Sequence, residues 1–328
     1  MSVKFQVLKM LEDKRESYIS GNAMAKELSI SRASIWKAVQ SLRNEGYGIS
    51  AVTNKGYRLE QSGDALSTEG IQRQIKTEGV FLVETKKLIT STNTVLRAEA
   101  ARGAPEGYVL AAEAQTSGKG RQGKSFHSPL GHGVYFSLIL RPRIRVGDAT
   151  LITAAAAVSA ARAIEAIFDV PVGVKWVNDL YVNERKICGI LTEATIDMES
   201  GMVESAVLGI GINVTRPPEG YPADLQDVAG SITNRTMGKD AERCRLIAAT
   251  LDNFWQYYKG LSNRAFLDEY RKRSIILGRD VDVLLADNSL RRAKAIAIND
   301  ECGLVVQYDN GSAETLRSGE VGIAQVNH

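Results

Sequence analysis

The sequence predicts an α+β protein in three parts: an N-terminal winged helix-turn-helix, a central mixed β-sheet with flanking helices, and a C-terminal SH3-like β-barrel. Three features carry that prediction. Apolar residues recur at helical spacing through the first 45 positions and are followed by a short alternating stretch. The middle of the chain alternates apolar runs with glycine-bearing turns around one long alanine-rich segment. After Arg273, short apolar runs return at roughly ten-residue intervals, separated by Asn and Asp turns. The expected parts are 1–63, 64–273 and 274–328.

In the first part, Phe5, Leu8 and Leu11 mark one helix, and Gly21 to Leu28 a second. Ser29-Ile30-Ser31 is a tight turn whose last serine is a good N-cap. A third helix runs from Arg32 to about Glu45 on a buried stripe of Ile35, Val39 and Leu42, and Gly46 and Gly48 end it. Ile49 to Leu59 alternates around Asn54-Lys55-Gly56, which reads as a hairpin. Helix, short turn, helix, hairpin is the winged helix-turn-helix plan, so Gly21 to Gln40 is the candidate DNA-binding unit. Arg32, Ser34 and Lys37 lie off the apolar stripe and could reach phosphates and base edges; Lys55 and Arg58 sit in the wing. The charge agrees: residues 1–60 hold ten Lys/Arg against six acids, and the remainder 31 against 32. A solvated basic surface would give the same count. Gln61 to Asp64 is the expected linker, and Ser67 a cap for the next helix.

The overall composition, 44% hydrophobic and 24% charged over 328 residues, is that of a globular chain with room for a large core. No uninterrupted apolar stretch approaches the ~20 residues of a bilayer span. Met1 to Lys14 does not read as a signal peptide, and no membrane role is expected. Cys188, Cys244 and Cys302 are too few and too scattered for a disulfide framework or a zinc site, so reduced thiols in a cytoplasmic protein are expected. His127, His132 and His328 give no metal-ligand spacing either, and no protein metal site is expected.

In the central part, Gly118-Lys119-Gly120-Arg121-Gln122-Gly123-Lys124-Ser125 matches the P-loop pattern letter for letter. The strand before it is present, from Tyr108 to Ala112. The helix after it is not, because Phe126 to Gly133 contains one proline and two glycines before a strand at Val134 to Leu140. A P-loop needs a helix N-terminus aimed at the phosphates. A basic glycine-rich loop closing over an anion between two strands fits better, and an exposed hairpin loop remains an alternative. Ser91-Thr92-Asn93 precedes a helix, where simple capping is the competing explanation. Leu151 to Phe168 is a packing helix. Lys175 to Leu180 breaks a strand at Asn178-Asp179. Lys186 returns on a strand face shared with Cys188 and Ile190; it is either a strand-end residue reaching water or a lysine held beside an anion. Gly209-Ile210-Gly211-Ile212-Asn213 ends a strand whose glycines allow close backbone approach by a ligand. The C-terminal strands are expected at Val281–Leu285, Ala293–Ile298, Leu304–Tyr308 and Val321–Gln325.

These segments in this order resemble the biotin protein ligases, and with the helix-turn-helix attached, the bacterial proteins that combine biotin ligase and biotin-operon repressor. The resemblance spans almost the whole chain and implies a class II synthetase-like catalytic sheet. It implies that Ser91, Thr92, Asn93 and Gln115 bind biotin and that Lys119, Gly120 and Arg121 fold over biotin and its adenylate. Lys186 would lie beside the reacting carboxylate and phosphate, with Arg121 and Asp179 as the other catalytic candidates. Gly118, Phe126, Lys175, Asn178, Asn213 and Arg317 match positions near the nucleotide. Three positions depart from the family pattern: Lys119 stands where arginine is usual, Val177 where proline is usual, and Phe126 where tryptophan is frequent. Lysine keeps the charge but loses the planar fork.

The implied function is ATP-dependent formation of biotinyl-5'-AMP with Mg2+, followed by transfer to a lysine of a biotin carboxyl carrier protein such as that of acetyl-CoA carboxylase or pyruvate carboxylase. An adenylate-bound homodimer would bind operator DNA and repress biotin genes. Pro217 to Gly230, rich in proline, glycine and acids, is expected to order with the Lys119 loop on the adenylate. The alternatives are a ligand-sensing transcription factor without ligase activity and a lipoate-type ligase.

Overall fold

The structure is a computed structural model describing residues 3–14, 17–44, 47–59, 66–234, 241–285, 289–317, 319 and 321–323. The expected linker at 61–64 and the boundary at 63/64 lie outside the described residues.

The first part contains α1 (Val3–Asp13), α2 (Gly21–Glu27) and α3 (Arg32–Asn44), followed by the antiparallel strands β1 (Ile49–Val52) and β2 (Gly56–Leu59). Local chemistry sets the helix starts. Ser20 Oγ accepts from the Ala23 N–H at 3.0 Å, and Ser31 Oγ from the Ser34 N–H at 3.1 Å. Val7, Leu8, Leu11, Met24, Ile35, Val39 and Leu42 form a core separate from the rest of the molecule. The wing lies close against the backbone of Ile19. Gly56 has φ of 105°, and a Cβ there would come within 2.1 Å of the Ile19 carbonyl oxygen, so the turn requires glycine.

The second part opens with α4 (Thr68–Gln74), whose cap Ser67 accepts from the Gly70 N–H at 3.0 Å. Then come β3 (Leu82–Ile89), α5 (Thr92–Ala101), β4 (Tyr108–Gln115), β5 (Gly133–Leu140) and α6 (Ala149–Phe168). Strands β6 (Gly173–Lys175), β7 (Asp179–Val182), β8 (Arg185–Ile196) and β9 (Val203–Asn213) precede α7 (Glu242–Tyr258) and α8 (Leu267–Arg273). Seven strands form one mixed sheet in the order β3-β4-β5-β9-β8-β7-β6, parallel at β3–β4 and antiparallel elsewhere.

Alternation divides the sheet's two faces. Val109, Ala111, Phe136 and Leu138 pack into the main core with α6 and α7, while Leu110, Ile139 and Val207 pack under α5 with Leu96 and Ala100. By length and composition α6 could cross a membrane, but 72% of its apolar window is buried inside the protein, where its alanines let sheet and helices approach closely.

The third part is antiparallel: β10 (Asp280–Leu284), β11 (Leu290–Ile298), β12 (Leu304–Tyr308), β13 (Ala313–Leu316) and β14 (Val321–Ile323), in the order β13-β12-β11-β10-β14. This is the small β-unit expected, with one strand, β13, that the apolar pattern did not mark. Its core is continuous with that of the central sheet. Trp176 Nε1 donates to the Cys302 carbonyl at 2.7 Å, and the Ile275 N–H to the Val174 carbonyl at 2.9 Å.

Polar contacts join the first part to the second. Lys4 Nζ lies 3.0 Å from Glu69 Oε1, Arg73 Nη2 lies 3.1 Å from Asp13 Oδ1, and the Tyr47 hydroxyl bonds the Ser67 hydroxyl.

Candidate active site and DNA-binding surface

The α5 face of the sheet opens into a cavity of about 620 Å3, a size suited to a small ligand. Its floor is backbone. Gly189 and Gly211 are register partners on β8 and β9, and Gly209 lies opposite Leu191. A Cβ on Gly209 would fall 1.9 Å from Asn93 Oδ1, and one on Gly211 would fall 2.5 Å from the Phe126 ring. Glycine therefore lets an amide and an aromatic ring rest directly on the strands.

One end of the cavity is a polar wall at the start of α5. Ser91 Oγ accepts from the Thr94 N–H at 3.4 Å, so capping and cavity lining coincide at this residue. Gln115 Oε1 accepts from the Thr92 N–H at 2.8 Å and from Thr92 Oγ1 at 3.2 Å, while Gln115 Nε2 donates to Ser128 Oγ at 2.9 Å. Asn93 Nδ2 donates to Glu193 Oε2 at 3.0 Å, and Asn93 Oδ1 accepts from Ser137 Oγ at 2.6 Å. Ser128, Ser137 and Glu193 were not anticipated. Ser137 had a visible signal: it is the one polar side chain in the apolar strand Gly133–Leu140, and it is fully buried.

The other end is cationic. Among the described lining residues, Lys119, Arg121, Lys124, Lys175 and Lys186 stand against Asp179 and Asp224. The Gly118–Ser125 segment is no P-loop: it holds one turn of 3-10 helix at Arg121–Gly123 and then returns to β5, with the Phe126 N–H donating to the Gly118 carbonyl at 2.9 Å. Arg121 Nη1 donates to Asn178 Oδ1 at 3.1 Å, which ties this loop to the turn between β6 and β7. Asn178 Nδ2 in turn donates to the Ile190 carbonyl at 3.0 Å. The Trp176–Val177 peptide bond in this turn is cis.

Lys186 Nζ lies 2.8 Å from Asp179 Oδ2 across neighbouring strands. The structure corrects the expected strand face. The register shifts between Leu180 and Tyr181, leaving Ile187 as an extra residue on β8. The bulge breaks strict alternation, so Cys188 is fully buried in the core while Lys186 turns to the cavity and its carboxylate. Asp179 Oδ1 is buried without a hydrogen-bond partner among the described residues. Lys175 Nζ lies 5.9 Å from the Tyr181 ring centroid. Burial, and then Asp179, push the Tyr181 phenol up to about 12, so it remains a hydrogen-bond donor at neutral pH.

A loop from Pro217 to Gly230 closes the side. The Lys186 N–H donates to the Val228 carbonyl at 2.9 Å and the Gly230 N–H to the Lys186 carbonyl at 2.8 Å. Asn213 Nδ2 and the Tyr221 hydroxyl both donate to the Gly230 carbonyl, at 3.1 and 2.8 Å. The biotin candidate Gly120 and the nucleotide candidate Asn213 line the cavity; the nucleotide candidates Gly118 and Arg317 do not. Gly118 is buried beneath Phe126 and Ser128, and Arg317 is exposed, although Gly319, Val321 and Gly322 reach the cavity rim.

On α3, Arg32 and Lys37 are exposed, and Lys55 is exposed in the wing turn. Two of the DNA-binding candidates are engaged within the protein. Ser34 Oγ lies 2.9 Å from Ser31 Oγ in the cap, and the Arg58 guanidinium sits 4.8 Å over the Tyr18 ring.

Comparison with known proteins agrees with this architecture part by part. Residues 3–58 match an HTH domain, 85–213 the Biotin/lipoate A/B protein ligase family, and 276–322 the Biotin protein ligase C terminal domain. The Bifunctional ligase/repressor BirA of Bacillus spizizenii is 33% identical over 94% of this chain and 95% of its own, and that of Escherichia coli 28% identical over 93% and 92%. A biotin protein ligase from Aquifex aeolicus, solved with biotin and ATP, shares the fold with a TM-score of 0.60 at 24% identity, over 74% of this chain and 99% of that one. With so extensive a likeness, in the same order and over nearly the full length, this chain belongs to the bifunctional ligase/repressor family.

Proposed function

We propose that this chain activates biotin with ATP as biotinyl-5'-AMP and transfers the biotinyl group to a lysine of a biotin carboxyl carrier protein. With adenylate bound, it represses biotin genes as a dimer on operator DNA. The observation that carries the catalytic half is the cavity's polarity. A hydroxyl and amide wall at Thr92 and Gln115 faces a cationic end at Arg121 and Lys186. A cyclic urea needs hydrogen bonds at one end of its pocket and its carboxylate needs cations at the other. A dithiolane ring makes no use of the polar wall, which favours biotin over lipoate.

Biotin's carboxylate is already nucleophilic at neutral pH, so the first step requires positioning and charge neutralisation rather than a base. A carboxylate oxygen attacks the α-phosphorus, the bond to the bridging oxygen breaks, and pyrophosphate leaves. Lys186 and Arg121 stabilise the crowded negative charge. In the second step the acceptor amine, after losing a proton, attacks the carbonyl carbon and AMP departs. Asp179 orients that amine or receives its proton, a role supported by its place in the cavity lining beside Lys186. Among the described residues no group of three or more His, Cys, Asp or Glu could hold a metal. The carboxylates of Asp179 and Asp224 alone fit Mg2+ carried mainly by nucleotide phosphates, where it neutralises their charge.

Two features support the repressor half. The sheet ends at β3, an edge strand with Leu82 and Leu88 exposed, which is a surface suited to pairing with a second copy. The Pro217–Gly230 loop is bonded to Lys186 on both sides, so adenylate at Lys186 can bias that loop. The three free, buried cysteines support a cytoplasmic location. Biotin-dependent exchange of labelled pyrophosphate into ATP tests the ligase reading. Exchange driven equally by lipoate would move the assignment to lipoate ligation, and no exchange with either acid would leave only a ligand-sensing transcription factor.

A further inference from the structure

Trp36 is 54% exposed and is the only exposed aromatic side chain among the described residues. The core does not use it: Ile35, Ala38, Val39 and Leu42 fill the buried side of α3. It stands to one side of that stripe, one turn after Arg32 and one turn before Gln40, with exposed Ala33 and Lys37 beside it. A large apolar surface left in water is covered when a partner docks. Here the surrounding charge selects the partner. Arg32, Lys37 and, on the wing, Lys55 are cationic and exposed, and α3 carries no acidic residue.

We infer that Trp36, with Ala33, reads the 5-methyl groups of thymines in the major groove of the duplex that α3 enters. The inference rests on the DNA-binding reading of the N-terminal part and adds the base chemistry to it. Thymine's methyl is the one apolar group on the base edges of that groove. Arg32 and Lys37 flank the indole and neutralise phosphates, which positions the helix without specifying sequence. The indole edge supplies an apolar contact and a single N–H donor, so it discriminates by shape against a pyrimidine lacking the methyl.

The test starts with duplexes enriched by the intact protein from a random pool in the presence of biotin and ATP. Each thymine of the enriched site is then replaced in turn by uracil, and affinity is measured for the wild-type chain, Trp36→Ala and Trp36→Phe. Loss of about fourfold per contacted methyl in the wild type is expected, from the transfer of one methyl-sized group. That loss should vanish in Trp36→Ala and persist in part in Trp36→Phe. Thermal melting by circular dichroism checks that both variants are folded. Discrimination against uracil unchanged in Trp36→Ala, or absent in the wild type, overturns the role of Trp36 while leaving DNA binding intact. Failure of the wild-type chain to enrich any duplex overturns the DNA-binding reading itself. Altered sedimentation of Trp36→Ala with unchanged base preference would assign this face to a second copy of the chain.

Discussion

At Lys186 one ammonium serves two partners in turn. It lies 2.8 Å from Asp179, and in the proposed reaction the same ammonium faces carboxylate and phosphate during adenylation. Lys186→Ala is expected to lower biotin-dependent pyrophosphate exchange by about 10²–10³-fold, the usual cost of one lost electrostatic donor. Retained exchange in a folded variant would refute the role. Arg121 has a second proposed task, because its bond to Asn178 ties the glycine-rich loop to the turn between β6 and β7. Arg121→Gly is expected to release the adenylate early and label bystander proteins, as judged by streptavidin blot; labelling confined to the acceptor would contradict it. Most of the residues that line the cavity were legible in the sequence because charge, amides and glycines stood out on apolar strands. The residues that hold them were not. Ser128 and Glu193 are ordinary polar residues until folding sets them against Gln115 and Asn93, and the bulge at Ile187 that turns Lys186 toward the cavity leaves no mark in a pattern of period two.

Among the elements, β4 shows how the second part is braced. Glu113 Oε1 accepts from the Leu66 N–H at 3.0 Å, just before the cap Ser67, and Glu113 Oε2 meets Arg243 of α7 at 2.5 Å. Arg243 Nη1 also reaches the Gly133 carbonyl at 3.4 Å, at the register position opposite Asn213. The two side chains are 6% and 14% exposed, so removing one strands the other. Arg243→Met is expected to destabilise the chain by about 3–5 kcal/mol in urea unfolding, whereas the paired change with Glu113→Gln should cost less than the sum. Additive losses would contradict the coupling.

Acid should weaken α6 and α8 together. Arg273 holds the Glu165 carboxyl below its ordinary 4.5 by direct hydrogen bonds. A depressed folded value contributes stability above 4.5 that is lost as the pH falls below it. Arg273→Met should flatten that part of the stability profile, and an unchanged profile would refute the clamp. Helix starts were readable from Ser31, Ser67 and Ser91 because caps are local chemistry. Strand β13 was not, since Ala-Glu-Thr-Leu is largely exposed and carries no apolar alternation, although it pairs with β12 across a short turn.

In the whole molecule the helix-turn-helix part is joined to the part that holds the cavity through Tyr47, Ser67 and the ion pairs around α4. The positive excess of the first sixty residues was visible from composition; the exposed edge at β3 and the docking of the third part through Trp176 emerge only from the fold. Dimerisation belongs to this scale. Sedimentation velocity should show a shift to a dimer when biotin and ATP are added together, and an unchanged monomer at operator-binding concentrations would contradict the repressor arrangement. The most direct measurement is native mass spectrometry of the intact chain after incubation with biotin, ATP and Mg2+. The wild-type chain is expected to retain one biotinyl-5'-AMP and the folded Lys186→Ala variant none; a wild-type chain carrying only separate biotin and ATP, or a variant carrying the same adenylate, would contradict a cationic cavity that joins the two anions.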